Sequence, residues 1–174
     1  KAKAILIFPH VLRGAFIVGG RFGEGVMLSR TGDTGNWSPP AFFNIGGGNI
    51  GFQAGVQSVD LILLVMNQQG LDGILKSKVT LGADIAVAAG PVGRKAEAGV
   101  DLLLKSEILS YSRSKGLFAG VALNGAAILA DNDANRALYG KELTARDILV
   151  GGKVTAPSAA NQLIDTLKQY SYIK

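Results

Sequence analysis

The chain has no cysteine among its 174 residues. That absence excludes disulfides, thiolate zinc sites and cysteine nucleophiles, and it leaves the redox compartment open. Histidine is nearly missing too. His10 is the only one, so any Ser-His-Asp machinery must pass through a side chain beside Pro9, and the menu for metal or nucleophilic catalysis is thin. Long apolar runs are also lacking. Residues 59–66 (VDLILLVM) are almost wholly apolar but far shorter than the ~20 residues a membrane-crossing helix needs, and they read as a strand covered on both faces. The first apolar run, residues 4–8, falls short of the roughly 7 to 15 residues of a signal-peptide core and ends at Pro9, so no targeting segment is expected there. Aromatic residues make up 7% of the chain. Only Tyr111 and Phe118 stand near clustered basic residues, and Phe118 is expected in the core, which argues against nucleic acid as a partner.

Glycine is abundant. There are 24, about twice the usual ~7% share, and they lie inside alternating apolar segments, where they permit bulges, bends and close approach of backbones. Lysine and arginine outnumber aspartate and glutamate 18 to 13, for a net charge of +5. That balance tolerates an anionic partner (phospholipid headgroups, nucleic acid or an acidic protein surface) without naming one. Length fits one domain over residues 1–174, and no internal repeat or linker divides it.

The organising stretch is residues 46–67 (GGGNIGFQAGVQSVDLILLVMN). Its first half alternates, with Ile50, Phe52, Ala54 and Val56 on one side, as a half-buried strand does. Before it, residues 1–8 read as the tail of a helix or a first strand stopped by Pro9. Residues 15–29 read as two short strands or one bent ribbon, 30–40 as a turn region carrying Trp37, and 42–45 as a strand. After it, residues 68–76 form a short helix presenting Leu71, Ile74 and Leu75. Residues 79–88 show the clearest alternation in the chain and are expected to be one strand. A turn at 90–95 (GPVGRK) precedes an alternating segment over 97–104. Residues 107–112 and 117–124, joined by a basic turn, read as a hairpin. A helix over 132–139 is capped by Asp131 and ended by Gly140, and residues 144–147 (TARD) resemble a capping box. A final amphipathic helix over 157–170 places Ala160, Leu163, Ile164 and Leu167 on one face. The expected class is mainly β with a few helices (α+β): a curved, glycine-rich antiparallel sheet, barrel-like or sandwich, covered by the C-terminal helix.

Three motifs compete with plainer readings. Residues 46–51 (GGGNIG) match G-x-G-x-x-G, but a strand pattern follows where a dinucleotide site needs a helix, so a turn or bulge is favoured. Asp131, Asp133, Asn135 and Glu142 fit positions of a calcium loop, yet Arg136 stands where the sharp turn requires glycine, and a capped surface helix is the better reading. Asp60, Asp84 and Asp101 are expected in strands, where carboxylates usually face solvent rather than act as paired acid and base. No catalytic residue, metal site or cofactor emerges. The basic turns carry more: Arg94 and Lys95 after GPVG, Arg113 and Lys115 in YSRSKG, and Lys76 with Lys78. Such residues at one end of a sheet can hold phosphates, against the plain reading of a solvated surface.

The succession ILIFP (5–9), GGRFGEGV (19–26), WSPPAFF (37–43), DLILLVMN (60–67), LGADIAVAAGPVGR (81–94) and EILSYSRSKGLFAGVAL (107–123) closely resembles the SYLF domain family. With the segment 135–140 and the DIL at 147–149, the likeness covers nearly the whole chain in order. The resemblance implies a non-enzymatic lipid-binding module for phosphoinositides or other anionic phospholipids, some of whose eukaryotic members also bind actin filaments. It brings no catalytic residues and no residue-level phosphate site, so the lipid-headgroup candidates Arg94, Lys95, Arg113 and Lys115 rest on the basic turns alone. The alternative is a protein-interaction module, actin-like or an envelope scaffold, whose sheet offers an edge or apolar patch to a protein partner. No SH3 or FYVE segment accompanies the domain, so the chain looks like a bacterial member associated with the membrane of the cell envelope, with a cytoplasmic peripheral membrane location as the alternative. In eukaryotic members an amphipathic segment at the start of the domain is implicated in membrane binding, and residues 1–4 hold at most its end.

Overall fold

The computed structural model describes residues 2–13, 23–32, 35–46, 57–76, 78–93 and 106–170. Among the described residues nine strands join in one sheet: β1 (Ala4–Arg13), β2 (Gly23–Ser29), β3 (Ala41–Gly46), β4 (Gln57–Val65), β5 (Lys78–Thr80), β6 (Val87–Ala89), β7 (Ile108–Ser114), β8 (Leu117–Gly120) and β9 (Ala127–Ala130). The helices among the described residues are α1 (Gln68–Ile74), α2 (Asn132–Tyr139), α3 (Ala145–Leu149) and α4 (Asn161–Tyr170), the last preceded by a 3-10 turn at Ser158–Ala160. The strand order is β5-β9-β3-β2-β1-β4-β7-β6, with β8 hairpinned onto β7. Among these nine strands every pairing is antiparallel except β6 with β7.

The ends of this path fix its curvature. Strands β5 and β6 stand at opposite ends, and a flat eight-strand path would hold them on the order of 34 Å apart at ~4.8 Å per strand. The six residues between them reach at most about 25 Å even fully extended. They are not extended: Leu81 and Ile85 form a bridge across a turn. The sheet therefore curls into a half-barrel. Gly82 takes a left-handed φ of 86°, and the Asp84 carboxylate accepts the Thr80 N–H at 2.8 Å. This turn corrects the expectation of one strand over 79–88 and takes Asp84 out of any strand, because glycine and aspartate together satisfy a tight turn better than a ladder.

Residues 59–65 of β4, expected to be covered on both faces, meet two environments, one face fully buried and the other half-buried. Val59, Leu61, Leu63 and Val65 are buried on the concave face with Leu6, Phe8, Phe43, Ile45, Ile108 and Ile128, while Asp60, Ile62 and Leu64 are half-buried on the other face. Leu71 and Ile74 of α1 and Ile148 and Leu149 of α3 close the concave core. On the convex face, Leu28 and Trp37 pack with Ala160 and Ile164, joined by Leu163 and Leu167. The expected C-terminal helix covers the sheet there with the four residues that share its apolar face.

Pro9 does not stop the first strand. Phe8 pairs with Leu61 and Val11 with Val59, so Pro9 and His10 together oppose Asp60 in a β-bulge. The bulge leaves the missing proline N–H outside the ladder. Opposite β1, Gly25 is required by close approach: a Cβ there would lie 2.6 Å from Phe8 Cδ1 and closer still to the Ile7 carbonyl oxygen. Strand β9 has no counterpart in the sequence reading. Its residues pair with β3 on one side and β5 on the other.

The helix ends follow their sequence signals. Asn67 and Asp131 accept Gly70 N–H and Ala134 N–H, Gly140 ends α2 in the left-handed region at φ 70°, and Thr144 with Asp147 form the reciprocal capping box. The backbone N–H of Thr144 and then the Lys153 and Thr144 side chains hold the Asp147 carboxyl below its usual range. Asn135 is fully buried; its Oδ1 accepts the Phe42 N–H at 2.6 Å and its Nδ2 donates to the Phe42 carbonyl at 3.3 Å. The Tyr139 hydroxyl donates to the Pro40 carbonyl, and burial pushes it up to about 12. The strand segments expected over 15–22, 47–56 and 97–104, the GGGNIG run beyond Gly46, and Asp101 lie outside the described residues.

Candidate functional site

Two of the four basic candidates come together on one hairpin. Strand β7 runs Ile108–Ser114, the chain reverses through Lys115 and Gly116, both at positive φ (52° and 78°), and β8 returns antiparallel. Two consecutive left-handed residues give the turn whose twist matches that of the flanking strands. Lys115 thus sits exposed at the tip. Arg113 is directly opposite Asp60 on one side and Phe118 on the other. Its guanidinium lies 3.8 Å from the Asp60 carboxylate and 5.9 Å from the centre of the Phe118 ring. At half exposure that ion pair contributes little stability, because water screens it, but it sets the direction of the arginine. Arg94 and Lys95 lie outside the described residues.

The hairpin also shows something absent from the sequence reading. Leu117 is 76% exposed and Phe118 53%, and all four residues of β8 face solvent. Phe118 is therefore not core, contrary to expectation: among the described residues no second layer covers β8. At its root, Tyr111 is half-buried. Its ring fills the space a Gly90 side chain would take, and its hydroxyl donates to the Pro91 carbonyl at 2.9 Å. Burial raises that hydroxyl above its ordinary range. The turn that leads toward Arg94 is held in this way against the base of the hairpin.

The other candidates are structural. Asp131 caps α2 and Asn135 is spent on Phe42, while Arg136 bridges Asp133 at 2.9 Å and Glu142 at 3.3 Å. The calcium template is thus occupied by a capped helix. Among the described residues no cluster of histidine and carboxylate side chains is arranged to hold a metal ion. His10 lies in the β1 bulge. Lys76 and Lys78 flank the start of β5, on the strand at the other end of the path from β7. A cleft of about 400 Å³ between Lys3, Arg30, Gln68 and Leu149 is lined by a cation already placed: Arg30 stacks 4.6 Å from the Trp37 ring centre and donates from Nε to the Ala2 carbonyl at 3.1 Å. No described helix is long and apolar enough to cross a membrane.

Residues 46–170 match the family model described as "Ysc84: Las17-binding protein actin regulator". The chain belongs to the Ysc84 family. The match agrees with the SYLF resemblance drawn from the motifs. Ysc84 relatives include the SH3 domain-containing YSC84-like protein 1 of Bos taurus, 34% identical over 172 residues, which are 98% of this chain and 50% of that protein. Protein YSC84 of Saccharomyces cerevisiae is 37% identical over 175 residues, 99% of this chain and 37% of its own length. The LAS seventeen-binding protein 3 of the same yeast is 34% identical, with 99% and 38% covered. The chain spans half or less of the length of these relatives. Their names and the Ysc84 description speak of protein binding and actin regulation, which supports the protein-interaction alternative more strongly than the lipid reading. Their fungal and mammalian sources lend the bacterial envelope no support; a cytoplasmic peripheral location is compatible with them.

Proposed function

We infer that residues 1–174 form one non-catalytic binding module that engages a protein partner in the regulation of actin. The observation that carries this reading is the family match over residues 46–170, described for a Las17-binding actin regulator. The candidate surface is the β7–β8 hairpin, where exposed apolar side chains stand beside cations. Co-sedimentation with actin filaments tests it: the chain is expected in the pellet in proportion to filament concentration, and its complete retention in the supernatant would sink the reading.

A second reading is favoured by the placement of Lys115 beside Leu117 at the exposed tip. There a basic residue and an apolar one can meet an anionic phospholipid surface together, with Arg113, Arg94 and Lys95 as further headgroup ligands. This reading places the module on the cytoplasmic face of a membrane. Vesicles containing anionic phospholipid should bind the chain at low salt and release it at high salt. Replacing Arg94, Lys95, Arg113 and Lys115 together should abolish that binding; unchanged affinity removes these four from the site.

A further inference from the structure

We propose that the outer edge of β8 is a strand-pairing site that takes an extended, acidic segment of a protein partner, with Phe118 as its centre. The proposal rests on the protein-interaction reading and gives it a place and a chemistry.

The hydrogen-bonding phase of the hairpin decides which groups are available. In an antiparallel pair, residues alternate between hydrogen-bonded and non-hydrogen-bonded partners. The two-residue turn makes Ser114 and Leu117 the closing, bonded pair, so Arg113 and Phe118 form a non-bonded pair and Ser112 with Ala119 the next bonded one. The phase continues below, where the Val121 N–H donates to the Ser110 carbonyl at 3.2 Å. The N–H and C=O of Phe118 therefore point away from β7. Strand β6 runs along the same side of β7 only from Ile108 to Ser110, and among the described residues no strand but β7 pairs with β8.

Exposed edges are normally blunted by lysine, proline, a bulge or a covering loop. Strand β8 reads Leu-Phe-Ala-Gly, with every residue exposed, neither lysine nor proline within it, and no strand but β7 paired to it among the described residues. The edge thus offers one N–H and C=O pair to an incoming strand, with a 76% exposed leucine and a 53% exposed phenylalanine to contact its side chains. This is the geometry of β-strand addition, in which main-chain bonds supply affinity and alternate side chains supply specificity.

Charge selects the partner. Between Glu107 and Asp131 the chain has no acidic residue, and Arg113 and Lys115 are its only charges. Asp60 offsets Arg113 from the β4 side, so among the described residues of the hairpin Lys115 at the exposed tip sets the charge on that side. An incoming segment with carboxylates at alternate positions is attracted, and a basic one is repelled.

The probes are alternating peptides of about ten residues, one of Val and Glu and one of Val and Lys, titrated into the 174-residue chain while amide signals and hydrogen exchange are followed. The Val-Glu peptide is expected to bind, to protect the Phe118 amide and to outcompete the Val-Lys peptide. The variant Phe118→Pro removes the outward N–H without touching a bond to β7. It should keep the wild-type melting transition and weaken Val-Glu binding by about tenfold, the equivalent of one or two net hydrogen bonds. Should Phe118→Pro disturb the hairpin, Lys115→Glu, which alters only the exposed tip, should reverse the preference between the two peptides. No binding, equal binding of both charges, or indifference to Phe118→Pro and Lys115→Glu would overturn the proposal. Concentration-dependent protection of Phe118 without peptide would assign the edge to a second copy, and protection only by anionic vesicles would assign it to a membrane; each overturns it as well. Filaments that pellet wild type and Phe118→Pro equally, with both peptides ignored, reject the edge and leave the protein-interaction reading intact. Failure to pellet either protein while Val-Glu still binds at Phe118 rejects the actin-directed reading and leaves the edge standing.

Discussion

Strands β4 and β8 share a neighbour and little else. Both pair antiparallel with β7, yet β4 buries Leu61, Leu63 and Val65 almost completely while β8 leaves Leu117 and Phe118 in solvent. The two strands are similarly apolar, so composition does not separate them. What separates them is the second layer. Strand β4 has β1 along its other side and a closed core beneath it; β8 begins where the barrel has already ended. Apolar surface placed in the first position stabilises the fold, whereas in the second it stays available to a partner.

Substitutions sharpen this contrast. Leu63→Ala, in the centre of β4, is expected to cost about 2 to 5 kcal/mol because the curled sheet cannot collapse around the cavity; chemical denaturation checks it. Gly25→Ala forces a methyl group toward the Ile7 carbonyl and the Phe8 ring and should cost about 1 to 3 kcal/mol by overpacking, visible in the same unfolding curve. Thr144→Ala removes one half of the α3 capping box, at about 1 kcal/mol. The accompanying Asp147 carboxyl is held below its usual range when folded. Its contribution is therefore present above the unfolded value of about 3.9 and lost as pH falls through the lower folded value. Asp147→Asn should flatten the acid limb of a stability profile, and an unchanged limb would show that the cap carries no linkage. The smallest effect belongs to β8: Leu117→Ala should stay within about 0.5 kcal/mol of wild type while weakening partner binding. A large loss of stability there would break the comparison, since it would make β8 part of the core.

Much of this architecture is legible in residue order. The caps at Asp131 and Thr144, the Gly140 stop and the apolar face of α4 are short-range signals, settled by groups within a few residues of each other, and they appear where the pattern places them. Two strand expectations failed for the complementary reason. The alternation over 79–88 is real as a pattern, but its halves pair with β9 and β7 at opposite ends of the sheet, and a turn between them costs less than a ladder without partners. Pro9 reads as a stop only until β4 supplies an opposing Asp60 for the bulge to bracket. Strand β9 was invisible because four residues flanked by glycine and a helix cap carry too little periodicity. At the hairpin, the turn through Lys115 is legible in the sequence, but Phe118, expected in the core, is exposed, since an apolar residue in a strand gives no sign of whether a second layer will cover it.

The sequence by itself determined the family, the β-rich class, the positions of its helices and the central place of β4, because these depend on local chemistry and on side-chain period. Tertiary structure alone decided that the sheet curls until β5 and β6 lie one turn apart, that the face α4 covers is the convex one, where it meets Trp37, and that among the described residues β8 is left with an open edge. Those outcomes depend on which surfaces meet across long separations in the chain. An edge exists only where the assembled sheet runs out of partners.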